Sequence, residues 1–137
     1  MEIIIAIVLL AIITSFAISK FNTITYNSNL SILKSELSLV QNALIEQKSK
    51  NILLSNSDEI TNLDDAAINK KDEKLFTNII NFSIISTDSN ERKVGKWVKI
   101  SQNSYEYFLL ASKTISFSLE DEKIICKSVE EICKEIE

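Results

Sequence analysis

Three side chains in this sequence could carry chemistry by their type and position: Glu2, Cys126 and Cys133. Glu2 stands directly before an uninterrupted apolar run. A carboxylate beside a membrane-depth helix is costly unless an opposite charge meets it. The sequence therefore predicts that Glu2 has a partner or marks a functional position.

The two cysteines bracket a predicted turn near the C-terminus. A disulfide between Cys126 and Cys133 would close a loop of about eight residues and stabilise the fold by roughly 2.5 kcal/mol. Two buried thiols are an alternative, and half of a metal site is a weaker one because zinc normally takes four nitrogen or sulfur ligands. We predict the disulfide. It would imply an oxidising compartment, with the C-terminal domain outside the cytoplasm.

The composition argues against several classes of function. The chain has 137 residues, 15 of them basic and 19 acidic, with no His, no Pro and one Gly. Without His, the usual residue of Ser/His and Cys/His catalysis is missing, and Gly95 alone makes no phosphate-binding loop. We predict that the protein is not an enzyme and holds no cofactor or metal. The acidic balance also argues against a nucleic acid partner.

The apolar run after Glu2 has the properties of a membrane anchor. Residues 3–19 carry no charge and would span about 25 Å as a helix, against roughly 30 Å of hydrocarbon. Their Ile, Val, Leu and Phe side chains contribute roughly −3 to −7 kcal/mol to insertion. A signal peptide cleaved at Ser15-Phe16-Ala17 would need a basic start, and a buried core helix is the other alternative. We predict a transmembrane anchor over residues 1–19.

The helix is predicted to continue beyond Lys20, since no Gly or Pro interrupts it. An a/d stripe over two heptads follows, formed by Leu30, Leu33, Leu37, Val40 and Leu44. The stripe fits an amphipathic half, residues 20–54, that packs on its own domain, or a seam shared with other subunits. We favour the first. A helix reaching Asn51 would be roughly 75 Å long, more than so small a domain can bury.

Residues 55–137 are predicted to form a β-rich head. After Asn51, Ser57-Asp58-Glu59 could cap one short helix with an apolar face at Ile60, Leu63 and Ala67. From there the apolar period becomes two. The predicted strands are Ile79 to Ser86, Trp97 to Ser101, Tyr105 to Ala111, Thr114 to Glu120 and Glu122 to Cys126.

Tight links between the strands suit an antiparallel meander. Asp121-Glu122 would make the last turn, and Ser128, with Glu131 in capping-box position, would begin a short final helix. The predicted fold class is therefore α+β, with a long N-terminal helix packed on a small antiparallel sheet of four to five strands and a short C-terminal helix.

Two weaker patterns could indicate binding. Asp88-Ser89-Asn90 resembles the start of a calcium loop but lacks the Gly and Glu that such a loop needs, so an ordinary turn is favoured. Trp97, Tyr105 and Tyr107 could form an aromatic patch, although aromatic residues on strands more often pack in the core. We assign them no ligand.

The run from Glu2 to Ile13, followed by a long helix, a small sheet and a C-terminal cysteine pair, resembles the type IV pilins and the pseudopilins of type II secretion. In that family a leader is cut before a Phe, and the fifth mature residue is a Glu followed by an apolar helix. Glu2 and the residues after it match this motif. The match covers about the first 20 residues, and the remainder agrees in architecture.

The resemblance implies a subunit held in the bacterial inner membrane by one span and then drawn into a filament. Its C-terminal domain would lie in the periplasm or on the assembled extracellular filament. Its partners would be other pilin or pseudopilin subunits, through the N-terminal helix, and inner membrane lipid. Glu2 would be the filament assembly residue and would pair with the N-terminal amine of the adjacent subunit.

The sequence departs from that family at its start. The basic leader, the small residue at the cut site, the Phe and the next two residues are missing, so Met1 would occupy the fourth mature position. We hypothesise an internal start, and three more residues would lengthen the apolar segment to about 20. A leader peptidase is a further implied partner if the upstream leader exists. The alternative function is a single-pass membrane-anchored binding or sensory module in which Glu2 is incidental.

Overall fold

The N-terminal helix is the longest element of the fold. The computed structural model describes residues 2–55 and 59–136, with the Glu2 side chain outside the described part. Helix α1, Glu2–Leu53, has 52 residues and is about 78 Å long. It ends where Ser55 adopts a left-handed conformation (φ 54°), a common helix stop. The predicted long helix is confirmed.

A two-stranded sheet joins β1, Lys74–Leu75, to β2, Ile84–Ile85. The predicted strand from Ile79 to Ser86 is therefore wrong over most of its length. The cause is a turn, in which the Phe76 carbonyl accepts the N–H groups of Ile79 and Ile80 at 3.2 and 3.0 Å. This turn directs the chain away from the main sheet.

The segment before β1 also differs from its prediction. The sequence predicts a helix cap at Ser57-Asp58-Glu59, but Ser57 and Asp58 lie outside the described residues. The short helix predicted after this cap is not found, because residues 59–73 contain no helix. Instead the buried Asp64 carboxylate accepts the N–H groups of Ala66 and Phe76, at 3.1 and 2.9 Å. Bonds to a side chain thus replace helical bonds in this loop.

The main sheet is an antiparallel meander in the order β3-β4-β5-β6. Its strands are β3 Trp97–Ser101, β4 Ser104–Leu110, β5 Lys113–Glu120 and β6 Lys123–Cys126. The turn before β6 has Asp121 and Glu122 at positive φ, 49° and 60°, as a type I′ hairpin requires. The predicted antiparallel sheet and this predicted turn are confirmed.

The core lies between α1 and one face of the main sheet. Members of the heptad stripe, Leu33, Val40 and Leu44, are buried, and so are Trp97, Tyr105, Tyr107, Ile115 and Phe117 from the sheet. The Trp97 ring packs edge-on against Phe76 and Tyr107, with centroids 5.5 and 5.2 Å apart. The stripe thus packs on its own domain, and the aromatic side chains are core residues, as favoured from the sequence.

The single glycine lies against α1, two residues before β3. Gly95 has φ 76°, and a Cβ there would lie 3.1 Å from the Asn29 Oδ1 atom. The Asn29 side chain donates to the Leu109 carbonyl at 3.0 Å. Both the backbone conformation and the space therefore favour Gly at this position.

Both edges of the main sheet are bonded by other elements. On the β3 edge, the Trp97 and Lys99 carbonyls accept the N–H groups of Thr87 and Asn69, each at 2.8 Å. On the β6 edge, the Ile124 N–H donates to the Gln41 side chain of α1 at 3.2 Å. Covered edges disfavour pairing with strands of other chains.

The chain ends with helix α2, Glu130–Ile136. A disulfide joins Cys126 to Cys133, whose Cα atoms are 5.7 Å apart, so the predicted bridge is confirmed. The predicted capping role of Ser128 is not found, because its hydroxyl accepts the Ser116 N–H at 2.8 Å and ties this turn to β5 instead. The disulfide and this bond hold α2 against the sheet.

Removal of the disulfide is expected to lower the free energy of unfolding of the head by about 2.5 kcal/mol. The variant Cys126→Ala/Cys133→Ala would be compared with the wild type in urea, with the fluorescence of the single, buried Trp97 as the signal. Reductant should shift the wild-type midpoint toward that of the variant and leave the variant unchanged. A wild-type midpoint that does not respond to reductant, or to loss of both cysteines, would contradict this account.

Candidate functional site

The N-terminal part of α1 is apolar and uncovered. We call residues 3–19 the anchor segment. Side chains along the whole segment are exposed to solvent, and the exposed fraction is 76% for Ile3 and 73% for Phe16. In the described part of the chain, α1 is the one helix long and apolar enough to cross a membrane, and none of its most apolar stretch is buried. This surface needs an apolar environment that residues 2–55 and 59–136 do not supply.

Two polar side chains of the anchor segment, Thr14 and Ser15, are satisfied within the helix. The Thr14 hydroxyl donates to the Leu10 carbonyl at 2.6 Å, and the Ser15 hydroxyl donates to the Ala11 carbonyl at 3.0 Å. In lipid, an unpaired polar group costs several kcal/mol, and a helix is one of two structures that can satisfy its own backbone. These hydroxyls are therefore compatible with hydrocarbon.

The part of α1 beyond Lys20 contacts the head at several positions along the helix. The Trp97 indole N–H donates to the Glu36 carboxylate at 2.7 Å. Lys48 forms an ion pair with Glu122 at 2.5 Å, and Glu122 also accepts the Ile60 N–H. Burial raises the pKa of Glu36 above its usual range, against the opposing effect of the Trp97 hydrogen bond. These contacts join helix and head over several turns.

A cluster of three polar side chains, Tyr26, Lys113 and Glu135, joins α1, α2 and the sheet at the end of the head nearer the anchor segment. Tyr26 on α1 donates its hydroxyl to Glu135 of α2. The Lys113 ammonium lies 4.7 Å from the centre of the Tyr26 ring. Burial and the hydrogen bond to Glu135 raise the pKa of Tyr26. Since Tyr26 is six residues beyond Lys20, the head begins about 9 Å along the helix from that charge.

The structure separates the side chains singled out from the sequence. α1 begins at Glu2, but the Glu2 side chain lies outside the described part, so its role in assembly stays a prediction. The cysteine pair lies in the head, beside the middle of α1 near Leu37 and Gln41. The Asp88 carboxylate accepts the N–H groups of Asn90 and Glu91 at 2.8 and 2.7 Å, which is the arrangement of an ordinary Asx turn.

A buried ion pair inside the head was not predicted. Asp64 and Lys99 are both buried, and the Lys99 Nζ atom donates to Asp64 Oδ1 at 2.8 Å and to the Asp64 carbonyl at 3.0 Å. The Tyr105 hydroxyl donates to Asp64 Oδ2 at 2.9 Å. Burial and the neighbouring carboxylate raise the pKa of Tyr105. The cluster is fully bonded and structural.

The burial of Lys99, but not that of Asp64, was indicated by the sequence. Lys99 is two residues from Trp97 on β3, so strand alternation places both on the same face. Asp64 lies in an irregular loop, where no periodic pattern indicates which side chains are buried.

Comparison with family models, curated proteins and solved structures found no match to this chain. The functional conclusion therefore depends on the geometry. Within the described residues, no group of three or more His, Cys, Asp or Glu side chains could hold a metal ion. The feature that requires an external partner is the anchor segment.

Proposed function

We propose that this chain is a structural subunit of a type IV pilus-like or type II secretion pseudopilus filament. The single observation that carries the proposal is the division of α1, whose anchor segment is apolar and uncovered while its other half is packed on the head. Such a helix can occupy lipid as a monomer and a bundle of identical helices after assembly. Lipid tails and Leu side chains are similarly apolar, so the transfer between the two environments has little hydrophobic cost.

The head supports this role in two ways. Both edges of its main sheet are bonded by other elements, so α1 is the part of the chain best suited to join subunits. The disulfide between Cys126 and Cys133 fits an oxidising compartment. We therefore place the subunit in the bacterial inner membrane by a single span, with its head in the periplasm or on the assembled filament.

Glu2 is the assembly residue in this proposal. A carboxylate that enters an apolar bundle is stabilised when a cation of the neighbouring subunit meets it. The N-terminal amine of an adjacent subunit is the cation that the resemblance to pilins implies. Glu2 thus both favours transfer into the filament and sets the axial position of each subunit.

Crosslinking through the anchor segment tests the proposal. Cysteine pairs at Val8 and Leu10, which lie about 200° apart around the helix axis, introduced in cells that contain the native assembly machinery, are expected to produce a ladder of crosslinked oligomers after oxidation. A ladder is expected because a filament subunit meets neighbours on two sides of its helix. Glu2→Gln should reduce the ladder at least tenfold, since a buried carboxylate and its partner contribute several kcal/mol when one is removed.

The matched control places cysteines at Lys71 and Lys93, two exposed positions on the head. This pair should produce far less crosslinked product. If the anchor pair and the head pair yield the same small amount of dimer, and Glu2→Gln has no effect, the subunit does not assemble through α1 and the filament proposal is wrong.

A single-pass binding or sensory module is the second candidate. The observation that favours it is a groove of about 450 Å³ between α1, β6 and α2. In that case the chain would stay dispersed in the membrane, and the anchor cysteines would show no ladder under any condition.

A further inference from the structure

The groove between α1, β6 and α2 has the form of a small-molecule site. Its volume is about 450 Å³, within the range of roughly 300 to 1,000 Å³ that is typical of such sites. Its lining is mostly apolar, with Leu37 from α1, Phe117 from β5, Ile124 from β6 and Ile136 from α2. These four elements meet over a cleft that their side chains do not fill.

The walls of the groove are held in place by bonds between the elements. The Gln41 side chain of α1 accepts the Ile124 N–H at 3.2 Å, which fixes the spacing between α1 and β6. The disulfide from Cys126 to Cys133 fixes α2 at the other side. The site is therefore formed before any ligand enters, which lowers the entropy lost on binding.

The charged residues of the lining are of one sign. Lys34 and Lys123 line the groove and are exposed, and the described lining residues include no carboxylate. An apolar cleft with ammonium groups at its rim complements a molecule with an apolar chain and an anionic head. A cationic or zwitterionic head would gain less from the same rim.

The position of the groove indicates where such a molecule comes from. Lys34 lies 14 residues beyond Lys20 on a continuous helix, which is about 21 Å. A phospholipid whose chains stay in the bilayer would not reach this height. A free, single-chain amphiphile dissolved in water would.

We propose that this groove binds a medium-chain carboxylate, with its alkyl chain against Leu37 and Ile124 and its carboxylate at the rim formed by Lys34 and Lys123. The inference does not depend on filament assembly, since both a subunit and a dispersed module would carry the groove.

Photolabelling of the full chain in zwitterionic nanodiscs tests it. A decanoate that carries a diazirine near its methyl end would be activated by light, and its adducts mapped by peptide mass spectrometry. We expect adducts in the peptides that contain Leu37 and Ile124, and excess unlabelled decanoate should remove them. Adducts in the anchor segment report partition into lipid and serve as the internal reference.

The variant Lys34→Glu/Lys123→Glu should lower groove adducts about tenfold relative to anchor adducts, because two weak attractions become repulsions. Lys74→Glu/Lys93→Glu makes the same charge change at exposed positions outside the groove and should leave the ratio unchanged. Unaltered Trp97 fluorescence would show that both variants fold. Lys34→Gln/Lys123→Gln removes the two positive charges without adding negative ones, so it should lower the groove adducts by less than the Glu variant does.

Three results would overturn the proposal. Adducts confined to the anchor segment would show that the probe only enters lipid. Equal labelling of the groove by the corresponding alcohol, or undiminished labelling after charge reversal, would show that the anionic head is not recognised. Equal labelling by a diazirine phospholipid would show that the ligand comes from the bilayer.

Discussion

Asp64→Asn is expected to destabilise the head by about 3 to 5 kcal/mol, because it leaves the Lys99 ammonium buried without an opposing charge. The change conserves the size of the side chain but turns one acceptor oxygen into a donor NH2 group, so the loss combines the charge with the hydrogen bonds of that oxygen. Domains of this kind have a total stability of only about 5 to 15 kcal/mol. Urea unfolding followed by Trp97 fluorescence should show a large shift of the midpoint.

The neighbouring carboxylate is the matched control for this experiment. Asp65 is exposed and accepts a hydrogen bond from the Asn62 side chain at 3.1 Å. Asp65→Asn is expected to change stability by no more than about 0.5 kcal/mol. Equal effects at positions 64 and 65 would contradict the burial argument.

A double variant separates charge from packing. Asp64→Asn/Lys99→Met removes both charges and keeps an amide oxygen that can accept from Phe76 or Tyr105. It should be less destabilised than the sum of the two single variants, since residues in contact are coupled. Strict additivity would show that the 2.8 Å ion pair does not act as a unit.

Leu9→Arg/Ile13→Arg is expected to abolish membrane insertion. Two Arg residues near the middle of the anchor segment cost roughly 6 to 8 kcal/mol relative to the apolar pair, against a driving force of roughly −3 to −7 kcal/mol from the whole segment. The wild-type chain should resist alkaline carbonate extraction of membranes. The variant should be released, degraded or aggregated.

Ile32→Arg/Leu39→Arg is the control for this prediction. These side chains are also exposed, at 44% and 47%, but they lie on α1 beyond Lys20, beside the head. The control chain should stay in the membrane fraction. The intact mass of the chain supplies a further check, since cleavage after Ala17 would show that the segment is a signal peptide. Retention of both double variants in the membrane fraction would contradict the prediction that residues 3–19 anchor the chain.

Much of the architecture was predictable because it depends on local pattern. The absence of Gly and Pro before Ser55 allowed one continuous helix, and the alternation of Ile115, Phe117 and Leu119 with serines identified β5. The cysteine spacing around a turn predicted the bridge. Each of these features is set by residues close together in the chain.

The errors concern segments whose neighbours are distant in the chain. The apolar pattern at Ile79 to Ser86 predicts a strand of the main sheet, but the Asn78 N–H donates to the Leu63 carbonyl at 3.0 Å and the Phe76 N–H donates to Asp64 at 2.9 Å, and these bonds hold the start of the segment in a turn. Ser128 had the sequence of a helix cap, but the Ser116 N–H twelve residues away takes its hydroxyl. In both places a tertiary contact overrides a local preference.

The sequence by itself determined that a long, apolar N-terminal helix precedes a small β-rich head. A run without charges or helix breakers forms a helix, and its apolar side chains avoid water whatever the rest of the chain does. The tertiary structure alone decided that Asp64 is buried against Lys99 and that a groove lies beside the disulfide. These features depend on the positions of loops and strand edges in space, and burial of a polar side chain or an unfilled cleft leaves no periodic trace in the order of residues.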